Sequence, residues 1–478
     1  MENLSSLMPK RGVKNIFFIG IAGVGMSGIA EVLLSLGYQV FGSDRVENAA
    51  SRRLIDLGAT IYQEHVAEQV ESMDVVVVSS AIHADNVELM QAHEKRIPVI
   101  PRAEMLAEVM RFRKGIAIAG THGKTTTTSL VAAVLGEAGL DPTFVVGGKV
   151  NSTGSHSRLG ASALMIAEAD ESDASFLHLQ PLVAVVTNID ADHLSAYEND
   201  FSKLRAAFIE FLHNLPFYGL AVLCIDDPEV RSILPDLGRP FISYGFSEDA
   251  DVRAHNLVHD QGEVSFSVTL SGIAEALQFR LNLPGEHNVQ NALAAIAIAL
   301  ECNVDSASIG QALSSFAGIG RRMQCLGQVP YMNSDICFYD DYAHHPRELV
   351  ASLKATRAAW PAKRLIAVFQ PHRYSRTRDL FDDFVDALNS VDVLLLMPVY
   401  SAGEEPLKGA DSTALALALR NKGLLEPIVL AEQQSLFAVL EQLVAADDLV
   451  LTMGAGSIGR LAHDAFEQFN QQVSRHVG

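Results

Sequence analysis

The sequence predicts an α/β protein of three domains, and three observations carry that prediction. Its 478 residues amount to about three domain lengths. Short apolar runs alternate with stretches of helical periodicity, as they do where helices cover parallel sheets. Glycine-rich junctions at 23–28, 120–125 and 454–459 stand where such a run passes into a helix.

With 49% hydrophobic and 19% charged residues, the chain has the composition of a globular protein with several cores. A formal net charge of −21 argues against non-specific nucleic-acid binding, because an acidic surface repels a phosphate backbone. A small anionic substrate stays open where Mg²⁺ and a few fixed cations supply local charge. Cys224, Cys302, Cys325 and Cys337 are scattered and read as buried thiols in a reducing compartment. The N-terminus has no signal-peptide core and no apolar run approaches ~18 residues, so a cytoplasmic protein without membrane insertion is expected.

The first element is a strand at 15–20, NIFFIG, leading into Gly23-Val24-Gly25-Met26-Ser27-Gly28 and a helix from Ile29 to Leu36 that Gly37 stops. A second strand, Tyr38 to Gly42, ends at Asp44. Strand, G-x-G-x-x-G, helix and a later acidic residue make the dinucleotide fingerprint of a Rossmann-like sheet. The fingerprint specifies a diphosphate at a helix N-terminus and does not choose between NAD and a UDP-sugar. Further strands at 75–79 and 98–100 complete a first domain, 1–114.

The second domain opens on GIAIAGTHGKTTTTSLVAAVLGEA, 115–138. An apolar strand, Ile116 to Ala119, ends in Gly120-Thr121-His122-Gly123-Lys124-Thr125-Thr126, and Leu130, Val131, Val134 and Leu135 follow at helical spacing. Glycines let backbone N–H groups close on phosphate, Lys124 reaches the outer phosphates, and the Thr125 hydroxyl suits Mg²⁺. Ile118 stands where the standard P-loop has its first glycine. Two later strands end in acidic clusters, Glu168, Asp170, Glu171 and Asp173, then Asp190 and Asp192 with His193. At the carboxyl ends of strands such groups can ligate Mg²⁺ or cap helices, and His193 is the less usual ligand because Mg²⁺ prefers oxygen. Asn288 and Asn291 share a face at the start of an alanine-rich helix, as purine-reading amides or as caps.

The third unit, 318–478, begins near Arg321 and Arg322, a pair able to clamp a phosphoryl group. Strands recur at 336–340, 364–370, 391–397 and 448–454. The loop PHRYSRTRD, 371–379, sets Arg373, Arg376 and Arg378 close together, suited to gripping a carboxylate. The glycines at 454–459 lack the later acidic residue and read as a tight strand-to-helix turn.

The ordered set GIAGVGMSG, AGTHGKTTTT, EADESDASFLHLQP, TNIDADH, PGEHNVQNALAA, GRR, DDYAHHP and FQPHRYSRTRD resembles the Mur ligases of bacterial peptidoglycan synthesis, most of all the branch that adds L-alanine to UDP-N-acetylmuramate. The resemblance implies an N-terminal Rossmann-like UDP-binding domain, a central P-loop ATPase domain (115–317) and a C-terminal Rossmann-like domain for the amino acid. On that reading Gly23, Gly25, Gly28 and Asp44 hold the UDP-substrate. Gly120, Thr121, His122, Gly123, Lys124, Thr125 and Thr126 hold ATP phosphates, with Thr125, Glu168 and His193 on Mg²⁺. Asn288 and Asn291 meet adenine, Asp341 the ribose and Arg322 the terminal phosphate, while Tyr342, His372, Arg373 and Arg376 receive the amino acid. Lys124, His193 and Arg322 would be catalytic. Ala22, Ser195, Met323 and Ala343 depart from the usual pattern without removing a chemical group.

The implied reaction is ATP-dependent ligation of L-alanine to the lactyl carboxylate of UDP-N-acetylmuramate through an acyl phosphate, by a monomer or weak homodimer. A murein-tripeptide recycling ligase on the same sugar nucleotide is the alternative within the class. An NAD-dependent oxidoreductase would use Gly23 to Gly28 but leave the phosphate loop and the arginine loop without a task.

Overall fold

The computed structural model describes residues 12–79, 81–150, 155–332, 334–423, 425–431 and 436–477. Five strands, β1 (Asn15–Ile19), β2 (Gln39–Ser43), β3 (Thr60–Tyr62), β4 (Val75–Val78) and β5 (Val99–Pro101), form a parallel sheet in the order β3-β2-β1-β4-β5. Strand β1 shows why it lies at the centre. Ile16 and Phe18 enter one apolar cluster and Phe17 and Ile19 another, so the two-residue alternation buries both faces.

Ten strands follow: β6 (Lys114–Ala119), β7 (Thr143–Val150), β8 (Ser155–Arg158), β9 (Leu164–Glu168), β10 (Val183–Val186), β11 (Leu220–Cys224), β12 (Phe241–Gly245), β13 (Val252–Asp260), β14 (Glu263–Leu270) and β15 (Leu277–Leu281). Their order is β15-β14-β13-β12-β11-β10-β6-β9-β7-β8. Strands β6, β7, β9, β10, β11 and β12 run parallel, and β8 closes one edge as an antiparallel hairpin with β7. The third sheet holds β16 (Gln324–Tyr331), β17 (Ser334–Asp341), β18 (Leu365–Phe369), β19 (Val393–Leu396), β20 (Ile428–Val429) and β21 (Leu449–Met453), ordered β16-β17-β21-β18-β19-β20. It is parallel except for the β16–β17 pair.

Contacts gather the chain into two compact units. One holds Met1–His255, Ser267–Phe279 and Gln290–Phe316; the other holds Asn256–Phe266, Arg280–Val289 and Ala317–Gly478. Within the first unit a single apolar cluster joins Ile29, Ala30, Met105 and Val109 to Val145, Phe176 and Leu179, so the first two sheets share a core.

The first glycine junction differs from expectation. The helix starts at Val24, so Gly25 and Gly28 lie inside its first turns and only Gly23 remains as the N-cap. The sequence shows helical apolar spacing only after the glycines, which hid those turns. The expected strands leave out β3, β7, β8, β11 to β16 and β20; of these, β3, β16 and β20 escape the apolar-run criterion because each is short or only partly buried.

Candidate active site

The residues singled out in the first unit lie mostly at the carboxyl ends of parallel strands, where open α/β sheets place ligands. Gly23 caps the helix Val24–Ser35 directly after β1. Asp44 follows β2, and its carboxylate accepts N–H bonds from Ala22 at 3.0 Å and Val46 at 3.0 Å, bracing the turn. A Cβ on Gly25 would lie 3.0 Å from Arg102 Nη1, and one on Gly28 would lie 2.9 Å from Ser157 Cβ. Gly23 and Asp44 therefore belong to one turn, Gly25 lies in the first helical turn beside Arg102, and Gly28 is taken up by close packing on the β7–β8 hairpin.

The phosphate loop has the required backbone. Gly120 has φ +128° and Gly123 φ +83°, and a Cβ on either would strike Thr187 Oγ1 or Asn291 Oδ1 at 2.0 Å and 2.6 Å. The segment after β10 holds the loop in shape. Asn188 Oδ1 accepts from His122 N at 2.8 Å, Thr187 Oγ1 donates to the His122 carbonyl at 2.6 Å, and Asp190 N donates to Thr121 Oγ1 at 2.9 Å. His122 Nε2 lies 3.1 Å from Asp190 Oδ2. Of these braces only Asp190 is singled out in the sequence, as part of an acidic cluster; Thr187 and Asn188 are not.

Lys124 Nζ is folded back on its own loop, donating to the Gly120 carbonyl at 2.6 Å, the Thr121 carbonyl at 3.2 Å and Glu171 Oε2 at 2.6 Å. Burial raises the pKa of the Glu171 carboxyl although Lys124 pulls it down. Thr125 opens the helix Lys124–Glu137 half-buried, and Thr126 beside it is buried. Asn291 Oδ1 accepts from Thr127 Oγ1 at 3.2 Å, which sets this amide against the phosphate loop.

Glu168 ends β9 in register with Ile118 of β6, the strand that feeds the loop, and its Oε1 accepts from Gly147 N at 2.9 Å. His193 has φ 55°, and its Nε2 lies 3.5 Å from Asp192 Oδ2. Among the described residues, Glu168 and His193 do not join a cluster of three His, Cys or carboxylate ligands. A Mg²⁺ held with nucleotide phosphates needs only one or two carboxylates, and the glycine cradle with the Thr125 hydroxyl and Glu168 fits that need.

In the second unit the two adjacent arginines separate in role. Arg321 Nε pairs with buried Asp340 at 3.0 Å and Nη2 donates to the Gly454 carbonyl at 2.5 Å, tying it into the glycine turn at 454–459. Arg322 keeps a looser contact, 3.7 Å to Glu348 Oε1, and both guanidinium groups lie over the Tyr342 ring, at 5.0 and 5.3 Å. Asp341 is buried, and its two carboxylate oxygens accept from Met323 N at 2.9 Å and Ala343 N at 2.8 Å. Burial pushes its pKa up to about 6. The carboxylate expected at a ribose is thus engaged with backbone. Asn288 likewise donates to the Pro284 carbonyl at 2.7 Å. Ala343 and Met323 are buried in the apolar cluster of this unit, which accommodates both departures from the family pattern.

His372 stacks on Tyr400, with ring centroids 5.5 Å apart, and meets His344 edge-on at 5.9 Å. Its Nδ1 is buried with no hydrogen-bond partner among the described residues. Burial first, then the charges of His344, Arg376 and Arg373, bring its pKa down to about 4, so the ring is neutral near pH 7. Arg373 and Arg376 thus act on the same imidazole, whereas Arg378 is exposed and pairs with Asp379 at 2.7 Å. The linear spacing of the three arginines concealed that split.

Three domain models of one family match the chain in turn: residues 15–114 match the Mur ligase family catalytic domain, 118–299 the Mur ligase middle domain and 321–456 the Mur ligase glutamate ligase domain. The chain belongs to the Mur ligase family. Members of this family are ATP-dependent amide-bond ligases of peptidoglycan synthesis, with an N-terminal, a middle ATPase and a C-terminal domain. Among solved structures, the chain resembles the UDP-N-acetylmuramate–alanine ligase MurC of Thermotoga maritima at 28% identity and TM-score 0.79, over 96% of this chain and 99% of that one. It resembles a murein peptide ligase of Psychrobacter arcticus at 25% identity and TM-score 0.66, over 96% and 99%. The UDP-N-acetylmuramate:L-alanyl-gamma-D-glutamyl-meso-diaminopimelate ligase of Neisseria meningitides matches at 29% identity and TM-score 0.58, over 65% of this chain and 100% of that one. Among the described residues no helix is long and apolar enough to cross a membrane.

Proposed function

We propose that this Mur ligase joins L-alanine to the lactyl carboxylate of UDP-N-acetylmuramate in the cytoplasm, converting ATP to ADP and phosphate. The observation that carries the reading is the TM-score of 0.79 to an alanine-adding ligase over 96% of this chain. The domains are assigned as 1–114 for the sugar nucleotide, 115–317 for ATP and 318–478 for the amino acid.

A carboxylate resists attack by an amine because its leaving group would be oxide. The lactyl oxygen first takes the γ-phosphoryl group and ADP departs; the amine then attacks the acyl carbon, phosphate leaves and the ammonium proton is lost. The chain's task is positioning and charge neutralisation. Lys124, released from Glu171, neutralises charge on the transferring phosphoryl, and Arg322 serves as a second cation for the terminal phosphate. The backbone N–H groups of the first helical turn after Gly123 have no intrahelical acceptor and face the phosphates. Thr125, Glu168 and His193 would hold Mg²⁺, which when bound offsets phosphate charge. Arg373 and Arg376 orient the carboxylate of alanine, and neutral His372, with Tyr342 nearby, lines the same pocket without adding charge. Asn288 and Asn291 remain the residues proposed near adenine, with Asp341 supporting the ribose side through the loop it braces.

Phosphate release from Mg-ATP is to be measured with UDP-N-acetylmuramate and, in separate tubes, alanine, serine, glycine or the murein tripeptide. Release with alanine and an equal yield of UDP-N-acetylmuramoyl-alanine is expected. The 29% identity to the Neisseria enzyme supports the second reading, and release with the tripeptide alone would move the protein to that branch.

A further inference from the structure

The glycine turn proposed to carry a diphosphate has no cation of its own. Residues 20–28 contain no basic side chain, and Asp44, which braces the turn, adds a negative charge. A dianion brought to a protein of net charge −21 needs a fixed positive partner. Arg102 is in place to supply it. It is the first residue of the helix Arg102–Met110, directly after β5, at the same carboxyl edge of the sheet as the turn. Its side chain reaches Gly25, where an added Cβ would meet Nη1 at 3.0 Å and Cδ at 3.2 Å. Glycine at 25 therefore makes room for this guanidinium.

Among the described residues, the half-buried Arg102 has no carboxylate at ion-pair distance and no hydrogen-bond acceptor. Most partly buried arginines of this chain are paired, as Arg321 is with Asp340 and Arg113 with the Ser162 carbonyl. The charge of Arg102 also acts on Asp170, in the segment that follows β9. Burial opposes the charge on Asp170, and Lys124, the Ser172 hydrogen bonds and Arg102 together hold its pKa below the usual range.

We propose that Arg102 is the cation of the sugar-nucleotide site and holds the diphosphate over the Gly23–Gly25 turn. The proposal rests on the sugar-nucleotide reading given above. A planar fork donating two N–H groups to phosphate oxygens adds geometric selection for a diphosphate, which backbone N–H groups alone give less sharply.

The test is calorimetric binding of UDP and of uridine to the full chain, without ATP, for the native protein, Arg102→Gln and Arg102→Lys. Arg102→Gln is expected to weaken UDP about 10- to 100-fold, the range of a charged hydrogen-bond pair, while uridine binding stays unchanged. The UDP affinity of Arg102→Gln should also depend less steeply on salt, since one screened attraction is gone. Arg102→Lys should recover part of the loss by restoring the charge without the fork. UDP binding by Arg102→Gln equal to that of the native protein would overturn the proposal. Equal losses for UDP and uridine would also overturn it, making Arg102 a packing residue. A native protein that binds UDP no better than uridine would instead remove the sugar-nucleotide reading itself, and the role of Arg102 with it.

Discussion

Lys124 illustrates what a single side chain is asked to do. It is held by two carbonyls of its own loop and by Glu171, so a nucleotide must exchange those partners for phosphate oxygens. A donor of this kind is worth ~3 kcal/mol in the transition state. Lys124→Ala should abolish measurable ligation while binding of UDP-N-acetylmuramate by calorimetry stays within a few-fold; loss of both would mean that the two nucleotide sites are not separate. Gly123 is constrained twice, by φ +83° and by Asn291 Oδ1 only 2.6 Å from any Cβ. Gly123→Ala should lower ATP affinity at least ~10-fold, given ~1–2 kcal/mol for the left-handed backbone before the clash is counted. At Arg376 the expectation is a KM for alanine raised far more than the KM for ATP in steady-state assays, and equal rises would remove its assignment. The sequence announced Gly123 and Lys124 because strand, loop and helix are contiguous there. It could not announce Asn188, Thr187 or Arg102, whose relations to the glycine turns cross 60 residues or more of chain and leave no periodic trace.

At the scale of elements, the helix Pro346–Ala359 shows how an N-terminus organises a loop. Glu348, at its third position, accepts from His344 N at 3.0 Å and His345 N at 3.2 Å and also faces Arg322 at 3.7 Å. This capping box fixes the DDYAHHP segment and restrains one proposed phosphate-binding cation. Glu348→Ala should reduce stability by ~1 kcal/mol, the usual worth of a cap, read as a lower urea midpoint. It should also lower kcat by loosening Arg322; a fall in stability with kcat unchanged would separate the cap from catalysis. Proline at the first helical position and glutamate at the third are what start this helix, a pattern that the motif DDYAHHP carries only in part because Glu348 lies beyond it. The tasks of Asp340 and Asp341 were hidden, because adjacent carboxylates on a strand face opposite ways and one of them turned to Arg321, the other to backbone.

Over the whole molecule, acidity acts through buried groups of the second unit. Burial brings His287 and His372 down to about 4, below the ordinary ~6.5 of imidazole. As pH falls from 6.5 towards 4 the unfolded chain takes up protons at both rings and the folded chain does not, so stability is lost on acidification. Asp341 works in the opposite sense, since at about 6 its folded carboxyl binds a proton before the unfolded one does. Two imidazoles outweigh one carboxyl, and the melting temperature should fall across that window. His372→Gln should flatten the fall; a slope identical to the native one would show that the ring is not neutral when folded. Three α/β units were legible from apolar runs and glycine junctions, whereas the division into two compact units was not, because it depends on surfaces and no local pattern encodes them.

The apolar cluster that runs from Ile29 and Val109 into Val145 and Phe176 bears on inheritance as well as on folding. Gly28 fits against Ser157 with no room for a methyl group, so the helix and the hairpin are matched surfaces. A chimera that takes residues 1–114 from another ligase would bring a helix shaped for a different hairpin. Recombination should succeed when 143–158 travels with the donor segment and yield insoluble protein when it does not, which makes the first two sheets a single heritable module.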